Sequence, residues 1–206
     1  KFLREMIDSV QYQTYGNWEL CLADGSDDKH QDVGRIVAEY MEKDSRIKVY
    51  DQPNKGVVVA RELGIQQSTG EYLCFVDSDD FIAPDMISTM LRSGDSHDIL
   101  ACNFYIYDDV AQTKQVRTNC YIGDSRSDII NSLLSRACTW SLCGKLFKRH
   151  LFSNVNMPYG LRSGEDGIVC FQLHNNAKSV SHIALPFYFY RQRASSVTHN
   201  RSVQIS

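Results

Sequence analysis

The sequence predicts an α/β fold, a mostly parallel sheet with helices on both faces. Over the first 80 residues, short apolar segments alternate with longer segments whose apolar residues recur at helical spacing. That alternation is typical of right-handed βαβ units. After residue 80 the alternation stops, and the remaining segments form a cover on the first half without a linker. With 206 residues, 43% of them apolar, the chain is long enough for one domain with a sizeable core.

The elements of the first half follow from apolar spacing and from turn residues. Helices are predicted where apolar side chains share one face of a helical repeat, and strands where short apolar runs end at Gly, Pro, Asp or Asn. The predicted helices are residues 2–10, 33–41 and 57–67. The predicted strands are residues 18–23, 47–50 and 71–76.

The elements of the second half follow the same signals in a less regular order. Pro84 suits the first turn of a short helix that ends near Arg92. The other predicted helices are residues 124–136 and 165–175. The predicted strands are residues 98–107, 115–122 and 179–191, with a short basic and apolar segment at 145–152.

The composition excludes several classes of protein. Charged residues make up 23% of the chain and the net charge is -3, which argues against a disordered chain and against a general nucleic-acid binder. The longest apolar runs, such as residues 183–190, are far too short to span a bilayer. The seven cysteines form no C-x-x-C pair, and several lie in apolar runs, so we predict a reduced, cytoplasmic protein.

Carboxylates follow two of the predicted strands. One strand runs into Asp24, and another runs into Asp77, Asp79 and Asp80. In open α/β sheets, ligands bind beyond the carboxyl ends of the strands. Like charges about 4 Å apart repel by roughly 1 kcal/mol even in water, so a hard divalent cation would relieve the repulsion within the triplet. The alternative is a solvated turn, because Asp and Ser favour turns.

A third group of acidic residues, Glu165-Asp166, lies at the start of a predicted helix. The helix dipole alone favours acids there, which is the plain structural explanation. After it, residues 167–206 contain no Asp or Glu at all. A basic tail of this kind suits the binding of an anionic ligand that a metal ion at residues 77–80 holds. An equally simple explanation is a surface tail whose positive charge balances the acidic rest of the chain. His199 lies in this tail and is a candidate metal ligand, with an exposed histidine as the alternative.

Six stretches of the sequence, taken together, resemble one known family. The first three are W-E-L-C-L-A-D-G-S-D-D (18–28), N-K-G-V-V-V-A-R-E-L-G-I (54–65) and S-T-G-E-Y-L-C-F-V-D-S-D-D (68–80). The last three are K-L-F-K-R-H-L-F (145–152), G-E-D (164–166) and Y-R-Q-R-A-S-S-V-T (190–198). In this order and over nearly the whole chain, they resemble the family-2 glycosyltransferases, inverting bacterial enzymes with a Rossmann-like GT-A fold.

The resemblance implies a role for each matching residue. Asp24 would recognise the nucleotide base, and Arg61 would lie near the nucleotide pocket. Asp77 and Asp79 match the D-x-D motif that holds the ribose and the Mg²⁺ or Mn²⁺ on the diphosphate. Asp166 matches the general base of the E-D pair.

The implied reaction is transfer of a sugar, most simply from a UDP-sugar, to an acceptor saccharide hydroxyl with inversion. Residues 1–80 would form the nucleotide-sugar half of a single domain, and residues 81–206 the acceptor and catalytic half. Arg191 and Arg193 match a tail segment that folds toward the donor. The family suggests a bacterial surface polysaccharide and a saccharide or lipid-linked acceptor, which would bring a cytoplasmic protein to the inner face of the plasma membrane. It also implies one more central strand, before Lys1.

Three other interpretations stay open on the sequence. A haloacid-dehalogenase-type phosphatase also places D-x-D at a strand end, but it needs Thr or Val where this chain has Phe81. A sugar nucleotidyltransferase uses a related metal and diphosphate geometry, but it opens with a Gly-rich basic loop that this sequence lacks. A non-catalytic or truncated module that binds sugar nucleotides would keep the carboxylates without transfer, and release of UDP from a donor would distinguish it.

Overall fold

The computed structural model describes most of the chain and both halves of the predicted domain. The described residues are 1–24, 31–52, 56–94, 96–123, 125–161 and 163–192, without the side chains of Asp24 and Gln31. No helix in this part of the chain is both long and apolar enough to cross a membrane. All seven cysteines are unpaired.

The helices lie where apolar spacing predicts them, within a few residues at each end. Those of the described residues are α1 (Phe2–Gln11), α2 (Gln31–Met41), α3 (Val57–Gln67), α4 (Met86–Gly94), α5 (Arg126–Leu134) and α6 (Glu165–Asn176). Helix α1 shows the principle, because Met6, Ile7 and Val10 are buried on one face and Leu3 packs against the same core cluster. The hydroxyl of Ser125 accepts a hydrogen bond from the Asp128 N–H and so caps the start of α5.

Most strands also match the prediction, with two additions and one strand that is shorter than predicted. Those of the described residues are β1 (Leu20–Asp24), β2 (Ile47–Asp51), β3 (Tyr72–Cys74), β4 (Phe81–Ile82), β5 (Ile99–Asp108), β6 (Thr113–Arg117), β7 (Lys145–Lys148) and β8 (Val180–Gln192). A short 3₁₀ helix, Arg149–Phe152, follows β7. The two-residue strand β4 was not predicted, because its apolar run is too short to carry a strand signal. Strand β7 was not predicted either, because the segment 145–152 was assigned no element type. Strand β6 ends at Arg117, whereas the prediction extends to residue 122.

The α/β fold is confirmed, and the strand directions need one correction. Strands β1 and β2 pair in parallel, as βαβ units require, and so do β5 and β8. The other pairings, β3–β7, β5–β7, β5–β6 and β4–β8, are antiparallel, so the described strands do not form the mostly parallel sheet that the alternation predicts. The reason is that β7 comes back from the second half and inserts between β3 and β5. Local patterns carry no information on that insertion.

The described strands form two sheets with a groove between them. One sheet is β1–β2, and the other has the order β3-β7-β5-β8-β4 with β6 on β5. The groove has a volume of about 1860 Å³ and is lined by apolar residues of β1 and β3, including Leu20, Leu22 and Leu73. The further central strand that the family resemblance implies would lie between such edges, and it stays a prediction.

Two apolar clusters hold the second sheet against its helices. The first joins Ile7 of α1, Met90 of α4 and Leu100 of β5, all fully buried. The second joins Phe147 of β7 and Leu173 of α6 with neighbouring residues of α5. Burying each of these side chains contributes about 1.5–3 kcal/mol relative to exposure. The two clusters therefore fix the positions of β5, β7 and β8 and of the residues at the ends of these strands.

Candidate active site

The acidic turn after β3 lies at the wall of the groove. Asp77 and Asp79 are partly exposed to the groove, whereas Asp80 is buried, with 1% of its surface exposed. The main chain closes the turn, because the Asp80 N–H donates to the Asp77 carbonyl at 3.0 Å. The three carboxylates therefore divide into two that line the groove and one that faces the protein interior.

Strand β8 holds this turn through two of its residues. The Tyr188 hydroxyl donates to the Asp80 carboxylate at 2.7 Å and accepts from the Asp77 N–H at 3.2 Å. The Arg191 N–H donates to the other Asp80 oxygen at 2.8 Å. Burial, together with the nearby Asp77 and Asp79, raises the pKa of Asp80 to about 7. The sequence groups Asp80 with the carboxylates that face a cation and assigns Tyr188 no role, because only the tertiary contact between β8 and the turn shows that Asp80 is bonded to the protein.

Arg61 joins the predicted donor motif to the predicted base. From the buried side of α3, its guanidinium donates to Asp77 at 3.2 Å and makes a short hydrogen bond to Asp166. The Arg61 side chain is 14% exposed, and that of Asp166 is 26% exposed. An arginine shared by two carboxylates brings three residues together that lie far apart in the sequence.

The Asp166 carboxylate has an electrostatic setting that suits a base. It belongs to the first turn of α6, and Gly164, which directly precedes this helix, has a left-handed φ of 86°. Burial raises the pKa of Asp166 above its ordinary value, and the charge of Arg61 opposes that rise. A half-buried carboxylate with a raised pKa is a better proton acceptor than an exposed one, and the adjacent arginine keeps it ionised.

The side chain of Arg191, which was predicted to lie near the donor, pairs with other residues of this chain. Its side chain is 2% exposed and pairs with Glu5 of α1 at 2.6 Å and with Asp109 through a short hydrogen bond. Its Nε–H donates to the Asp79 carbonyl at 2.7 Å. Arg191 therefore ties α1 and the β5–β6 turn to the acidic turn, and its contact with a donor stays a prediction.

Of three other predicted site residues, the structure describes the backbone of one and leaves two outside the described residues. Asp24 ends β1, as predicted, and its side chain is not described. Arg193 and His199 lie outside the described residues. The structure thus brings together Asp77, Asp79, Asp166 and Arg61 along one groove, and the roles of Asp24, Arg193 and His199 stay predictions.

The chemistry of the acidic turn fits a hard divalent cation only if a ligand completes the site. Asp77 and Asp79 supply carboxylate oxygens, which Mg²⁺ and Mn²⁺ prefer. Within the described residues, no three His, Cys, Asp or Glu side chains are grouped to hold a metal ion. Since Mg²⁺ is commonly bound through one or two carboxylates and substrate phosphates, the two aspartates match a metal that arrives with a diphosphate.

Comparison with known proteins decides the family. The model of the family described as glycosyl transferase family 2 matches residues 1–155. The chain belongs to glycosyltransferase family 2. The match includes Arg61, Asp77 and Asp79 and ends before Asp166, so the assignment of the base in this glycosyltransferase rests on its geometry and on its G-E-D motif.

Curated relatives and solved structures agree with that family. The chain is 33% identical over 207 aligned residues to the putative glycosyltransferase EpsH of Bacillus subtilis, covering 95% of this chain and 58% of EpsH. It is 30% identical over 212 residues to the glycosyltransferase GlyA of Streptococcus pneumoniae, covering 96% of this chain and 30% of GlyA. The chain spans less than two thirds of the length of these relatives.

A solved structure shows the same fold. The structure of residues 1–349 of TarS from S. aureus, determined in complex with UDP-GlcNAc, superposes with a TM-score of 0.78 at 20% identity. The superposition covers 98% of this chain and 58% of that chain. At this identity, the likeness establishes the GT-A fold of this glycosyltransferase and nothing about its ligands.

Proposed function

We propose that this protein transfers a sugar from a nucleotide sugar to the hydroxyl of an acceptor saccharide, with inversion at the anomeric carbon. One observation carries the proposal. Arg61 pairs with both Asp77 and Asp166, so the predicted donor motif and the predicted base share one groove. The family, and the UDP-GlcNAc bound to a structure of the same fold, support a UDP-sugar as the donor.

The donor lies against the acidic turn in this proposal. Asp77 and Asp79 would hold Mg²⁺ or Mn²⁺, which when bound supplies positive charge to the diphosphate leaving group. Asp77 also accepts from Arg61, which sets the direction of its second oxygen. Asp24, Arg191 and Arg193 are the further donor-side residues that the family resemblance implies, and His199 is a further candidate metal ligand.

Asp166 acts on the acceptor. Its carboxylate takes the proton of the acceptor hydroxyl while that oxygen forms a bond to the anomeric carbon. The bond between the anomeric carbon and the phosphate oxygen breaks at the same time, and the nucleoside diphosphate leaves. Attack from the side opposite the leaving group inverts the configuration, because there is a single displacement. Arg61 keeps Asp166 ionised and oriented before the acceptor binds.

The biological setting follows from the same family. EpsH and GlyA are named glycosyltransferases of bacteria. We propose a role in bacterial surface-polysaccharide synthesis, with the chain on the cytoplasmic side. A lipid-linked saccharide acceptor would bring it to the inner face of the plasma membrane.

Calorimetric titration of UDP tests the donor site. We expect UDP to bind in the presence of Mn²⁺ and to bind much more weakly in EDTA. Asp79→Ala should reduce binding in Mn²⁺ to the level that the wild type shows in EDTA, whereas Asp85→Ala, which removes an exposed aspartate nearby in sequence, should not. Equal UDP binding by the wild type and Asp79→Ala would contradict the metal assignment.

The rate of UDP release from UDP-GlcNAc tests the role of Asp166 as the base. Asp166→Asn removes the proton acceptor and should lower the rate at least about a hundredfold while UDP affinity is largely kept. Glu165→Gln removes the neighbouring carboxylate of the same helical turn and should cost far less. A wild-type chain that binds UDP without releasing it from any UDP-sugar would favour the non-catalytic binding module.

A further inference from the structure

A tryptophan and an arginine line the same groove as the predicted base and have no role in the site described above. Trp140 and Arg136 belong to the segment that follows α5, and both line the groove that contains Asp166. Trp140 is 43% exposed, although indole side chains are usually well covered. This exposed surface therefore needs an explanation.

The indole of Trp140 is held rigidly in its exposed position. Its Nε1–H donates to the Leu133 carbonyl at 2.7 Å. A Cβ atom added to Gly167 would lie 3.0 Å from Cε3 of the indole, so the ring packs closely against the residue that follows Asp166. A fixed aromatic ring beside a base offers a ligand surface whose orientation costs no further entropy on binding.

Arg136 is in a conformation that favours glycine. Its φ is 58°, and its N–H donates to the Leu133 carbonyl at 3.1 Å, which is the arrangement at the end of a helix where glycine is common. A left-handed backbone costs a side chain with a Cβ about 1–2 kcal/mol. Among the described residues, Gln112 and Arg136 are the two non-glycine residues with a positive φ.

The side chain of Arg136 lies over Trp140. Its guanidinium carbon is 4.7 Å from the centre of the indole ring. Among the described residues, no carboxylate pairs with this guanidinium, in contrast to Arg46, which lies over Trp18 and also pairs with Asp44 at 2.7 Å. This guanidinium, which carries five N–H donors, is thus exposed at the groove without an acidic partner in the part of the chain that the structure describes.

We propose that Trp140 and Arg136 form the subsite for the acceptor saccharide. The apolar C–H surface of a pyranose ring would pack on the exposed part of the indole, and the guanidinium would donate to hydroxyl or carboxylate oxygens of the same sugar. The proximity of Trp140 to Gly167 places that sugar beside Asp166. The inference rests on the proposed function, because it takes Asp166 as the residue that deprotonates the acceptor.

Tryptophan fluorescence tests the subsite directly. The chain has two tryptophans, so Trp18→Phe leaves Trp140 as the sole indole. With UDP and Mn²⁺ present, this protein would be titrated with the methyl β-glycosides of glucose, galactose, N-acetylglucosamine and glucuronic acid. We expect a saturable change in Trp140 emission with at least one of them, and tightest binding of the glucuronide if Arg136 pairs with a carboxylate.

Matched variants test the contribution of Arg136 separately from that of Trp140. Arg136→Ala should weaken glycoside binding at least about tenfold, which is the loss of one charge-assisted hydrogen bond. Arg126→Ala, an exposed arginine at the other end of α5, should leave it unchanged. If Trp18→Phe does not fold, the difference between the wild type and Trp140→Phe gives the same signal.

The outcomes are distinct from those of the donor test. No change in Trp140 emission with any glycoside, in a protein that binds UDP with Mn²⁺, overturns the subsite and leaves the donor site intact. Equal glycoside binding by Arg136→Ala overturns the assignment of Arg136. Absence of UDP binding in calorimetry instead counts against the proposed function, and the subsite falls with it.

Discussion

At the scale of single residues, the geometry of the site depends on two arginines that each pair with two carboxylates. Arg61 serves two carboxylates, Asp77 and Asp166, and Arg191 serves Glu5 and Asp109 while it also bonds the main chain of the acidic turn. Both arginines were predicted to be near a donor from their motifs alone. Their contacts show different roles, because the Arg61 guanidinium lies in the groove wall, whereas the Arg191 guanidinium is buried behind it.

His174 of α6 provides a prediction about pH and stability. Its side chain is fully buried, with Nδ1 2.7 Å from the Cys170 carbonyl and Nε2 2.8 Å from the Tyr121 hydroxyl. Burial, with a smaller contribution from the charge of Lys145, lowers the pKa of His174 to about 3. The unfolded chain takes up this proton below about pH 6.5, whereas the folded chain does not. Stability is therefore fully present above pH 6.5 and falls as the pH drops toward 3.

Urea unfolding at pH 7, 6 and 5 checks this sign. The wild type should lose up to about 1.4 kcal/mol of unfolding free energy per pH unit below pH 6.5 through this one group. His174→Gln should be less stable at pH 7 and should lose less on acidification. If the two proteins show parallel pH dependence, the histidine is protonated in the folded state and the assignment is wrong.

At the scale of elements, strand β8 sets the geometry of the acidic turn. Tyr188 and Arg191 on this strand supply the hydrogen bonds that hold Asp80 and the main chain of Asp77 and Asp79. Sequence patterns predicted β3, its acidic turn and β8 separately. Their contact depends on the parallel pairing of β5 with β8, which joins residues about 80 positions apart, as in Ile99 with Val180.

Tyr188→Phe tests whether this support matters for ligand binding. The change removes one hydroxyl that donates to the buried Asp80 and accepts from the Asp77 N–H. We expect a loss of about 1–3 kcal/mol in unfolding free energy, because a buried carboxylate loses a donor. Since the turn also loses its fixed shape, affinity for UDP with Mn²⁺ should fall about tenfold in calorimetry.

Tyr121→Phe is the matched control for that experiment. Tyr121 packs on the other apolar cluster, and its hydroxyl bonds His174 instead of the acidic turn. A comparable loss of stability with unchanged UDP affinity is expected. If both variants lose UDP affinity equally, the effect of Tyr188 is one of general stability and not of the turn.

At the scale of the whole molecule, the groove joins parts that are distant in the sequence. Residues of β1, α3, the acidic turn, the Trp140 segment and the start of α6 all line it. A ligand bound at the acidic turn and Asp166 contacts parts of the chain that only folding brings together, so it binds only the folded chain. Its binding energy therefore adds to the stability of the folded state.

Thermal unfolding with and without ligand measures this coupling. UDP at about a hundred times its dissociation constant, with Mn²⁺, should add about 2.7 kcal/mol to the unfolding free energy. For a chain of this size, that corresponds to roughly 5–10 °C in Tm. EDTA should abolish the shift by UDP, and Mn²⁺ without UDP should produce a much smaller one. A UDP-induced shift that survives EDTA would mean that the nucleotide binds without a metal ion.

The sequence by itself determined the helices, most of the strands, the α/β class and the acidic turn. Each of these depends on local chemistry: apolar spacing for α1, a short apolar run for β3, and carboxylates after a strand at Asp77 and Asp79. The order of the motifs along the chain also pointed to the glycosyltransferase family that the family match confirms. Locally encoded features are readable in this way because neighbouring residues alone decide them.

Only the tertiary structure decided the strand directions and the connections of the site. The antiparallel insertion of β7, the sharing of Arg61 by Asp77 and Asp166, the burial of Arg191, and the position of Trp140 beside Gly167 all join residues far apart in the chain. No local pattern encodes them, since they depend on which apolar faces pack together and on which charged groups burial then brings into contact.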